Sequence, residues 1–294
     1  KTAVIEIAKA AGLTLLSEEE RNPLYTTTYG VGEVIKDAVR NGCRKFIVGI
    51  GGSATNDGGA GMLQALGFGL LKENGEQIPI GARGLEELAE ITDDNVIPEL
   101  AECKFKIACD VTNVLCGETG ASAVYGPQKG ADEEMTERLD RLLFSYASLV
   151  KKKIPKADSM YPGTGAAGGL GFAFLTFMDA QLESGIQIVI KETGLEQEIA
   201  KADLVITGEG RMDGQTAMGK APIGIAKIAK KYGKPVIAFA GAAARDAGAC
   251  NEQGIDAFFP ILREAVSLEA AMKRENAEAN MEAAVEQAYR LWRL

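Results

Sequence analysis

Short apolar runs alternate with amphipathic stretches along most of the 294-residue chain. The runs KFIVGI (45–50), CKFKIACD (103–110) and KPVIAFAGA (234–242) have the length and composition of buried strands. The stretch VGEVIKDAVRNG (31–42) instead spaces its apolar residues as one helical face does, and its closing glycine suits a helix end. This alternation predicts an α/β fold.

The chain is too long for one compact domain on the usual size range, so we expect two domains. From Ile186 onward the rhythm is regular, with IQIVI (186–190) interpreted as a strand and further strands near Asp203, Val236 and Phe258. Strands that alternate with helices predict a parallel sheet with right-handed crossovers. We place the boundary between Gly185 and Lys201, which divides the chain into 1–200 and 201–294.

The charge balance limits the classes of binding partner that the chain is expected to have. The chain has 32 basic and 41 acidic residues, a net charge of −9, which argues against nucleic acid or an anionic membrane as its main partner. We find no uninterrupted apolar run long enough to cross a bilayer. The five cysteines lack C-x-x-C spacing, which favours reduced thiols in the cytoplasm over a zinc cluster or disulfides.

The absence of histidine restricts the chemistry most. A Ser-His-Asp triad, a Cys-His pair and a histidine-ligated metal are all excluded. An enzyme with this sequence must therefore take its acid and base groups from Asp, Glu, Lys, Tyr or Cys. Any bound metal is expected to be a hard cation held by oxygen atoms.

The segment VGIGGSATNDGGAGM (48–62) is the first candidate for a binding site. It resembles a phosphate loop, with Gly51 and Gly52 allowing backbone N–H groups close to a phosphate, but it lacks the Gly-Lys-Ser/Thr of a P-loop. Its Gly-x-Gly-x-x-Ala pattern also fits a dinucleotide loop, although the acidic residue expected about 20 positions later is matched only loosely, by Glu73.

The polar residues of this loop point to a different ligand chemistry. Ser53, Thr55 and Asn56 offer hydroxyls and an amide that suit a polyhydroxy acid, and Asp57 offers a carboxylate to accept a proton. The alternative is that Asp57 only caps the following helix. In GPQKG (126–130), Lys129 is suited to a carboxylate or a phosphate, with an ordinary surface lysine as the alternative.

A third loop, TGEGRMDGQTAMGK (207–220), follows the apolar run at 204–206. It is therefore expected at the carboxyl end of a parallel strand, where open α/β sheets bind ligands. Two carboxylates and a guanidinium suit Mg²⁺ and a phosphate, and a solvated turn with an ion pair is the alternative. The candidates here are Glu209 and Asp213 for the metal, Arg211 for substrate, and Gly208 and Gly210 for the cofactor.

Several of these stretches together resemble the bacterial glycerate kinases of the type that includes the galactarate-pathway enzyme. They occur in the order GIGGSATNDGGAGMLQALG, CDVTN, GASAVYGPQKGA, GAAGGLGFA and LVITGEGRMDGQTAMGKAPIGIAKIAKKYGKPVI. The resemblance implies ATP and Mg²⁺ as cofactors and D-glycerate as the substrate. It also implies two α/β domains around a cleft, one of them Rossmann-like and built from both ends of the chain.

The resemblance gives the candidate residues provisional roles. Asp57 and Asn56 are expected to be catalytic, Ser53, Thr55, Lys129 and Arg211 to bind substrate, and the glycines of both loops to bind nucleotide. The family's N-terminal stretches, similar to APDSFKGSLSA and ADGGEGT, are not found in this sequence. We therefore expect a parallel sheet that is incomplete in this chain and a chain that is inactive by itself.

The residues alone are also compatible with two other functions. The dinucleotide pattern is compatible with an NAD-dependent oxidoreductase of a small hydroxy acid. The polar glycine loop is also compatible with a sugar-acid-binding protein that has no catalytic activity. For a kinase, the galactarate-type resemblance favours the 2-hydroxyl over the 3-hydroxyl of glycerate as the acceptor, and a homodimer stays an open option.

Overall fold

The computed structural model describes residues 1–294, and these form two compact units, Lys1–Gly185 and Ile186–Leu294. The division falls at the beginning of the predicted 185–201 interval and fifteen residues before the end of the predicted first domain. Both units combine helices with parallel strands, so the predicted α/β class is confirmed. No helix in either unit is both long and apolar enough to span a lipid bilayer.

The first unit is built on a four-stranded, wholly parallel sheet. The strands of the first unit are β1 (Thr2–Glu6), β2 (Lys45–Gly49), β3 (Gly69–Leu71), β4 (Glu90–Thr92), β5 (Lys104–Ala108) and β6 (Asp179–Glu183). Its helices are α1 (Ala8–Ala11), α2 (Tyr29–Arg40), α3 (Ala60–Ala65), α4 (Ala121–Tyr125), α5 (Glu133–Lys153) and α6 (Ala166–Phe177). Short 3₁₀ helices cover Leu13–Leu15, Glu18–Glu20, Ala82–Glu87, Pro98–Glu102 and Pro127–Lys129.

The four-stranded sheet has the order β1-β2-β5-β6, and β3 and β4 form a separate antiparallel pair. Alternate residues of β2 and β5 point into the core, where Phe46 and Phe105 stack with ring centroids 4.7 Å apart. Helix α2 buries Val31, Ile35 and Val39, which lie on one face at helical spacing. This apolar face explains why the amphipathic pattern of the sequence becomes a helix packed on the sheet.

The second unit has a three-stranded parallel sheet in the order β7-β8-β9. Its strands are β7 (Val205–Met212), β8 (Val236–Ala243) and β9 (Ala257–Pro260). Its helices are α7, which begins at the boundary (Gly185–Thr193), α8 (Leu195–Lys201), α9 (Gly214–Ala217), α10 (Ala221–Lys231), α11 (Ala249–Glu252), α12 (Leu268–Ala271) and α13 (Arg274–Trp292). The parallel sheet predicted from the regular rhythm is therefore confirmed.

Two sequence predictions about local structure are wrong. The run IQIVI lies in helix α7, where Ile188 and Ile190 are buried, and the neighbouring strand is the polar segment DAQLE of β6. A short apolar run does not distinguish a strand from a buried helix, and an edge strand needs few apolar residues. The polar composition between Leu70 and Pro98 predicts an irregular segment, but this segment contains the end of β3 and all of β4.

Candidate active site

A pocket lies at the carboxyl edge of the parallel sheet in the first unit. Strands β2 and β5 pair side by side and end together, with Gly49 opposite Ala108. The loops that follow them meet at this edge, as expected for ligand sites of open α/β sheets. They enclose a cavity of about 260 Å³ that is lined by Ile50, Gly51, Gly52, Ser53, Ala108, Cys109, Asp110, Val111, Tyr125, Gln128, Lys129, Ala166 and Ala167.

Four residues predicted from the sequence meet in this pocket: Gly51, Gly52, Ser53 and Lys129. The glycine loop is held in place by backbone contacts with the end of helix α1. Ser53 forms an isolated bridge with Gly12, and the N–H of Leu13 donates to the carbonyl of Gly52 at 2.9 Å. The loop is therefore a fixed wall of the pocket.

Lys129 ends the 3₁₀ helix Pro127–Lys129, and its side chain is only 2% exposed. Its Nζ donates to the carbonyl oxygen of Thr55 at 2.6 Å. Burial lowers the pKa of Lys129 to about 8, although the charge of Asp57 acts to raise it. Because an ammonium has three donors and a buried charge is costly when unpaired, an anion in the pocket would stabilise Lys129.

Asp57 does not line the pocket. Its side chain has no exposed surface, and its carboxylate accepts hydrogen bonds from the N–H groups of Thr28, Gly59 and Gly61 at 2.8, 3.0 and 3.3 Å. The hydroxyls of Thr27 and Thr28 also donate to it. A general base has to reach the proton of the substrate, so the predicted catalytic role of Asp57 loses its geometric support.

Thr55 and Asn56 are also buried rather than exposed to the pocket. The Nδ2 of Asn56 donates to the hydroxyl of Ser122 at 2.9 Å, and Thr55 contributes its carbonyl oxygen to Lys129. The Oγ1 of Thr55 and the Oδ1 of Asn56 have no hydrogen-bond partner within the protein. The structure thus leaves Ser53 of the polar run SATND at the pocket and turns Thr55, Asn56 and Asp57 inward, where they support the pocket wall from behind.

The entry of helix α6 closes the side of the pocket formed by Ala166 and Ala167. Ala167, Gly168 and Gly169 all have left-handed backbone conformations, and Ala167, at φ 53°, is the one residue other than glycine in the chain with positive φ. A Cβ on Gly168 would lie 2.0 Å from the carbonyl oxygen of Thr55. This close approach explains why the GTGAAGG segment is rich in glycine.

The pocket also contains residues that the sequence reasoning did not assign to the site. Asp110 follows β5 directly, and its Oδ1 accepts from the N–H of Gly185 at 3.1 Å. Tyr125 donates its hydroxyl to Oδ1 of Asn113 at 2.6 Å, and burial raises the pKa of Tyr125. The position of the DVTN segment after a predicted strand was a signal for Asp110, but no pattern in the sequence indicates the helix position of Tyr125.

The second group of predicted residues lies in the second unit. Strand β7 continues to Met212, so Gly208, Glu209, Gly210 and Arg211 belong to the strand, and their predicted place in a loop is wrong. Glu209, Gly210 and Arg211 occupy its carboxyl half and Gly208 directly precedes them, all beside the parallel strand β8, so they lie toward the end of the sheet at which they were predicted. The side chain of Arg211 is 71% exposed and lies 4.0 Å from Oδ2 of Asp213.

Glu209 and Asp213 converge on Thr216. The hydroxyl of Thr216 donates to Oε1 of Glu209, and Oδ1 of Asp213 accepts from the N–H groups of Gln215 and Thr216 as the cap of α9. Burial acts to raise the pKa of Asp213, but these hydrogen bonds and the charge of Lys220 lower it. No group of three potential metal-binding side chains is present in the chain. Two neighbouring carboxylates still suit Mg²⁺, which commonly takes its other ligands from water and substrate phosphates.

The fold is that of an α/β enzyme with a pocket that suits a small anion, and comparison with known proteins identifies the class as a kinase. The chain belongs to the glycerate kinase family, whose model matches residues 1–293. This membership overturns the two alternatives left open by the sequence, an NAD-dependent oxidoreductase and a non-catalytic sugar-acid-binding protein.

Curated relatives support the same family. The chain is 50% identical over 274 residues to the glycerate kinase of Halalkalibacterium halodurans and 49% identical over 273 residues to the glycerate 2-kinase of Escherichia coli. Each match covers 93% of this chain and 72% of the relative. A crystal structure assigned to glycerate kinase 2 of Salmonella typhimurium LT2 is 47% identical, has a TM-score of 0.85, and is matched over 99% of this chain and 77% of its own.

Proposed function

We propose that the protein transfers the γ-phosphoryl group of ATP to the 2-hydroxyl of D-glycerate and forms 2-phosphoglycerate and ADP. Membership of the glycerate kinase family supports glycerate as the phosphoryl acceptor. The name of the relative from Escherichia coli, glycerate 2-kinase, supports the 2-hydroxyl as the position of transfer. ATP is the expected donor for a kinase. The proposal therefore extends the family assignment to one substrate, one donor and one product.

The observation that carries the proposal is the buried Lys129 in a small pocket at the carboxyl edge of the sheet. Its charge suits the carboxylate of a short hydroxy acid, and Ser53 adds a hydroxyl to the same wall. A cavity of about 260 Å³ is smaller than most sites for drug-sized molecules, which agrees with a three-carbon substrate. Phosphoryl transfer depends mainly on such positioning and on charge stabilisation.

We assign the acceptor of the substrate's hydroxyl proton to Asp110, because it is the exposed carboxylate of the pocket whereas Asp57 is fully buried. In the transfer step, the substrate oxygen forms a bond to the γ-phosphorus while the bond from that phosphorus to the oxygen retained by ADP breaks. The proton of the hydroxyl passes to the Asp110 carboxylate and then to water. In a chain without histidine, a carboxylate is the suitable base for this step.

The second unit supplies the proposed nucleotide residues. Glu209 and Asp213 would hold Mg²⁺, because they are neighbouring carboxylates joined through Thr216 and Mg²⁺ prefers oxygen ligands. Bound Mg²⁺ supplies neutralisation of phosphate charge. The exposed guanidinium of Arg211 suits a further phosphate or carboxylate contact. A Cβ on Gly210 would meet open space, so its backbone is open to a ligand, whereas a Cβ on Gly208 would lie 2.3 Å from the carbonyl oxygen of Phe239, so Gly208 instead allows β7 to pack beside β8.

The test is an assay of ADP release by the purified protein with ATP, Mg²⁺ and D-glycerate, followed by ³¹P NMR of the product. We expect ADP release that depends on D-glycerate, which would overturn the expectation of an inactive chain, and a product signal that matches authentic 2-phosphoglycerate. A signal that matches 3-phosphoglycerate would overturn the proposed position. Turnover with ATP and Mg²⁺ that does not respond to D-glycerate would overturn the proposed substrate.

A further inference from the structure

An acidic residue, Asp57, lies just behind the wall of the pocket, and the proposed reaction gives it no role. Asp57 and Lys129 are both withdrawn from solvent, with exposures of 0% and 2%. They are connected through the short segment from Thr55 to Asp57, because the Thr55 carbonyl oxygen accepts the Lys129 ammonium. The two opposite charges therefore belong to one buried cluster, with the ammonium at the pocket and the carboxylate behind it.

The hydrogen bonds around Asp57 favour its ionised form. Three backbone N–H groups point at the carboxylate, and an N–H group cannot accept a proton from a neutral carboxyl group. The hydroxyl oxygen of Thr28 accepts from the N–H of Met62 and so directs its own proton to Asp57. Burial raises the pKa of Asp57, and these hydrogen bonds act against that rise. The donors are all uncharged, so none of them cancels the charge.

We propose that Asp57 is a positioning residue whose buried carboxylate keeps Lys129 in its charged, anion-binding form. A cation in a water-poor site is stabilised by an opposite charge nearby, because the surroundings screen the attraction poorly. The carbonyl of Thr55 orients the ammonium but brings no formal charge. The inference rests on the proposed function only for the identity of the anion that Lys129 receives.

Other titratable groups stand near this pair and have to be distinguished from it. Cys109, Asp110 and Tyr125 line the pocket together with Lys129. The hydroxyl of Tyr146, on helix α5, is buried without a partner, and burial together with the charge of Asp57 raises the pKa of Tyr146. Asp110 is the other carboxylate of the pocket, but it is exposed to solvent and hydrogen-bonded to Gly185, so solvent weakens its effect on Lys129.

The direct test is the titration of Lys129 by NMR in protein labelled with ¹³Cε-lysine, with the signal identified by its loss in Lys129→Met. We expect a midpoint near 8 in the unmodified protein, in agreement with the lowered pKa of Lys129. In Asp57→Asn the midpoint is expected to fall by about one pH unit or more. Thr28→Val is the matched control, because it removes a hydrogen bond to Asp57 but keeps the carboxylate, and its midpoint should stay near that of the unmodified protein.

A midpoint in Asp57→Asn equal to that of the unmodified protein would overturn the inference. If Asp57→Asn does not fold, the reciprocal titration decides: in protein labelled with ¹³Cγ-aspartate, Lys129→Met should raise the pKa of Asp57, and no change would overturn the inference. Neither titration needs glycerate or ATP. Absence of glycerate phosphorylation would therefore refute the proposed function without affecting these results, and unchanged titrations would refute the pairing without affecting the activity.

Discussion

Lys129 is the residue on which the proposed anion site depends. It is nearly fully buried, donates to one carbonyl oxygen, and lies in the pocket between the loops after β2 and β5. Burial of a charge without full pairing costs free energy in the absence of ligand, and a bound carboxylate lowers that cost. In the proposed function, Lys129 therefore connects the architecture of the sheet edge to substrate binding.

We expect Lys129→Met to lower kcat/KM for D-glycerate roughly 10- to 150-fold, because hydrogen bonds to charged groups contribute about 1.5–3 kcal/mol. The effect should appear mainly in KM if Lys129 holds the carboxylate in both the ground state and the transition state. Steady-state kinetics measure both constants. Lys156→Met, which changes an exposed lysine, is the control. An equal loss in the two variants would contradict the assignment.

The lowered pKa of Lys129 predicts a pH dependence. The protonated amine binds the anion and the neutral amine does not, so kcat/KM for D-glycerate should fall as the pH rises through about 8. Well above that value the fall approaches tenfold per pH unit, since each unit reduces the charged fraction about tenfold. In Lys129→Met this alkaline step should be absent. A profile that keeps the same step would assign it to another group.

Asp110→Asn should lower kcat by about 100-fold or more, because general-base catalysis commonly contributes that much, while KM for D-glycerate changes little. The amide retains the volume and can still accept the hydrogen bond from Gly185. Single-turnover measurements separate the chemical step from product release. Asp158→Asn, which changes an exposed aspartate, serves as the comparison. A kcat for Asp110→Asn within about threefold of the unmodified value would exclude Asp110 as the base.

At the scale of secondary structure, the site depends on close approaches between loops and helix ends. The carboxylate of Asp57 joins the start of helix α2, through Thr28, to the start of helix α3, through Gly59 and Gly61. The left-handed turn at Gly168 brings helix α6 against the carbonyl of Thr55. These contacts fix the wall behind Lys129, and at Gly168 they leave no room for a Cβ.

Gly168→Ala should reduce the free energy of unfolding by more than about 2 kcal/mol. A left-handed conformation costs a residue with a Cβ about 1–2 kcal/mol, and the clash with the Thr55 carbonyl adds to this. Chemical denaturation followed by circular dichroism gives the difference. Gly248→Ala is the matched control, because its backbone has φ −55° and the new Cβ would meet open space. Similar stabilities of the two variants would contradict the predicted packing at Gly168.

At the scale of the whole molecule, each unit has its own parallel sheet and its own buried core. The core of the first unit supports the pocket around Lys129. The second unit carries Glu209, Arg211 and Asp213 at the carboxyl half of β7 and just beyond it. The two sets of candidate residues therefore belong to different compact units of the chain. Substrate and nucleotide should accordingly protect different peptides from hydrogen exchange.

Hydrogen–deuterium exchange can distinguish the peptides that each ligand protects. D-Glycerate alone should slow exchange in peptides that contain residues 51–53, 109–111 and 125–129, because ligand binding suppresses local opening. ATP with Mg²⁺ should slow exchange in peptides from residues 207–216. D-Lactate, which lacks the 3-hydroxyl, is a useful control for the first set. Protection by D-glycerate alone that is confined to the second unit would contradict the assignment of the acid to Lys129.

The sequence by itself was sufficient for the α/β class, for the parallel strands near Asp203, Val236 and Phe258, and for Gly51, Gly52, Ser53 and Lys129 as candidate binding residues, which the structure then brings together in one pocket. The reason is that strand, loop and helix patterns are local, and clustered glycines directly after a buried strand are typical of a ligand-binding loop. The absence of histidine likewise limited the chemistry without any knowledge of the fold.

Only the tertiary structure decided which polar residues face the ligand. Asp57 and Asn56 belong to the same loop as Ser53, yet the contacts from Thr28, Gly59, Gly61 and Ser122 turn them inward. Thr28 and Ser122 come from distant segments, so no local pattern predicts these contacts. The same holds for IQIVI, which is a helix, and DAQLE, which is a strand beside β5. Burial and hydrogen-bond partners are set by neighbours distant in the sequence, and these neighbours overrode the local preference.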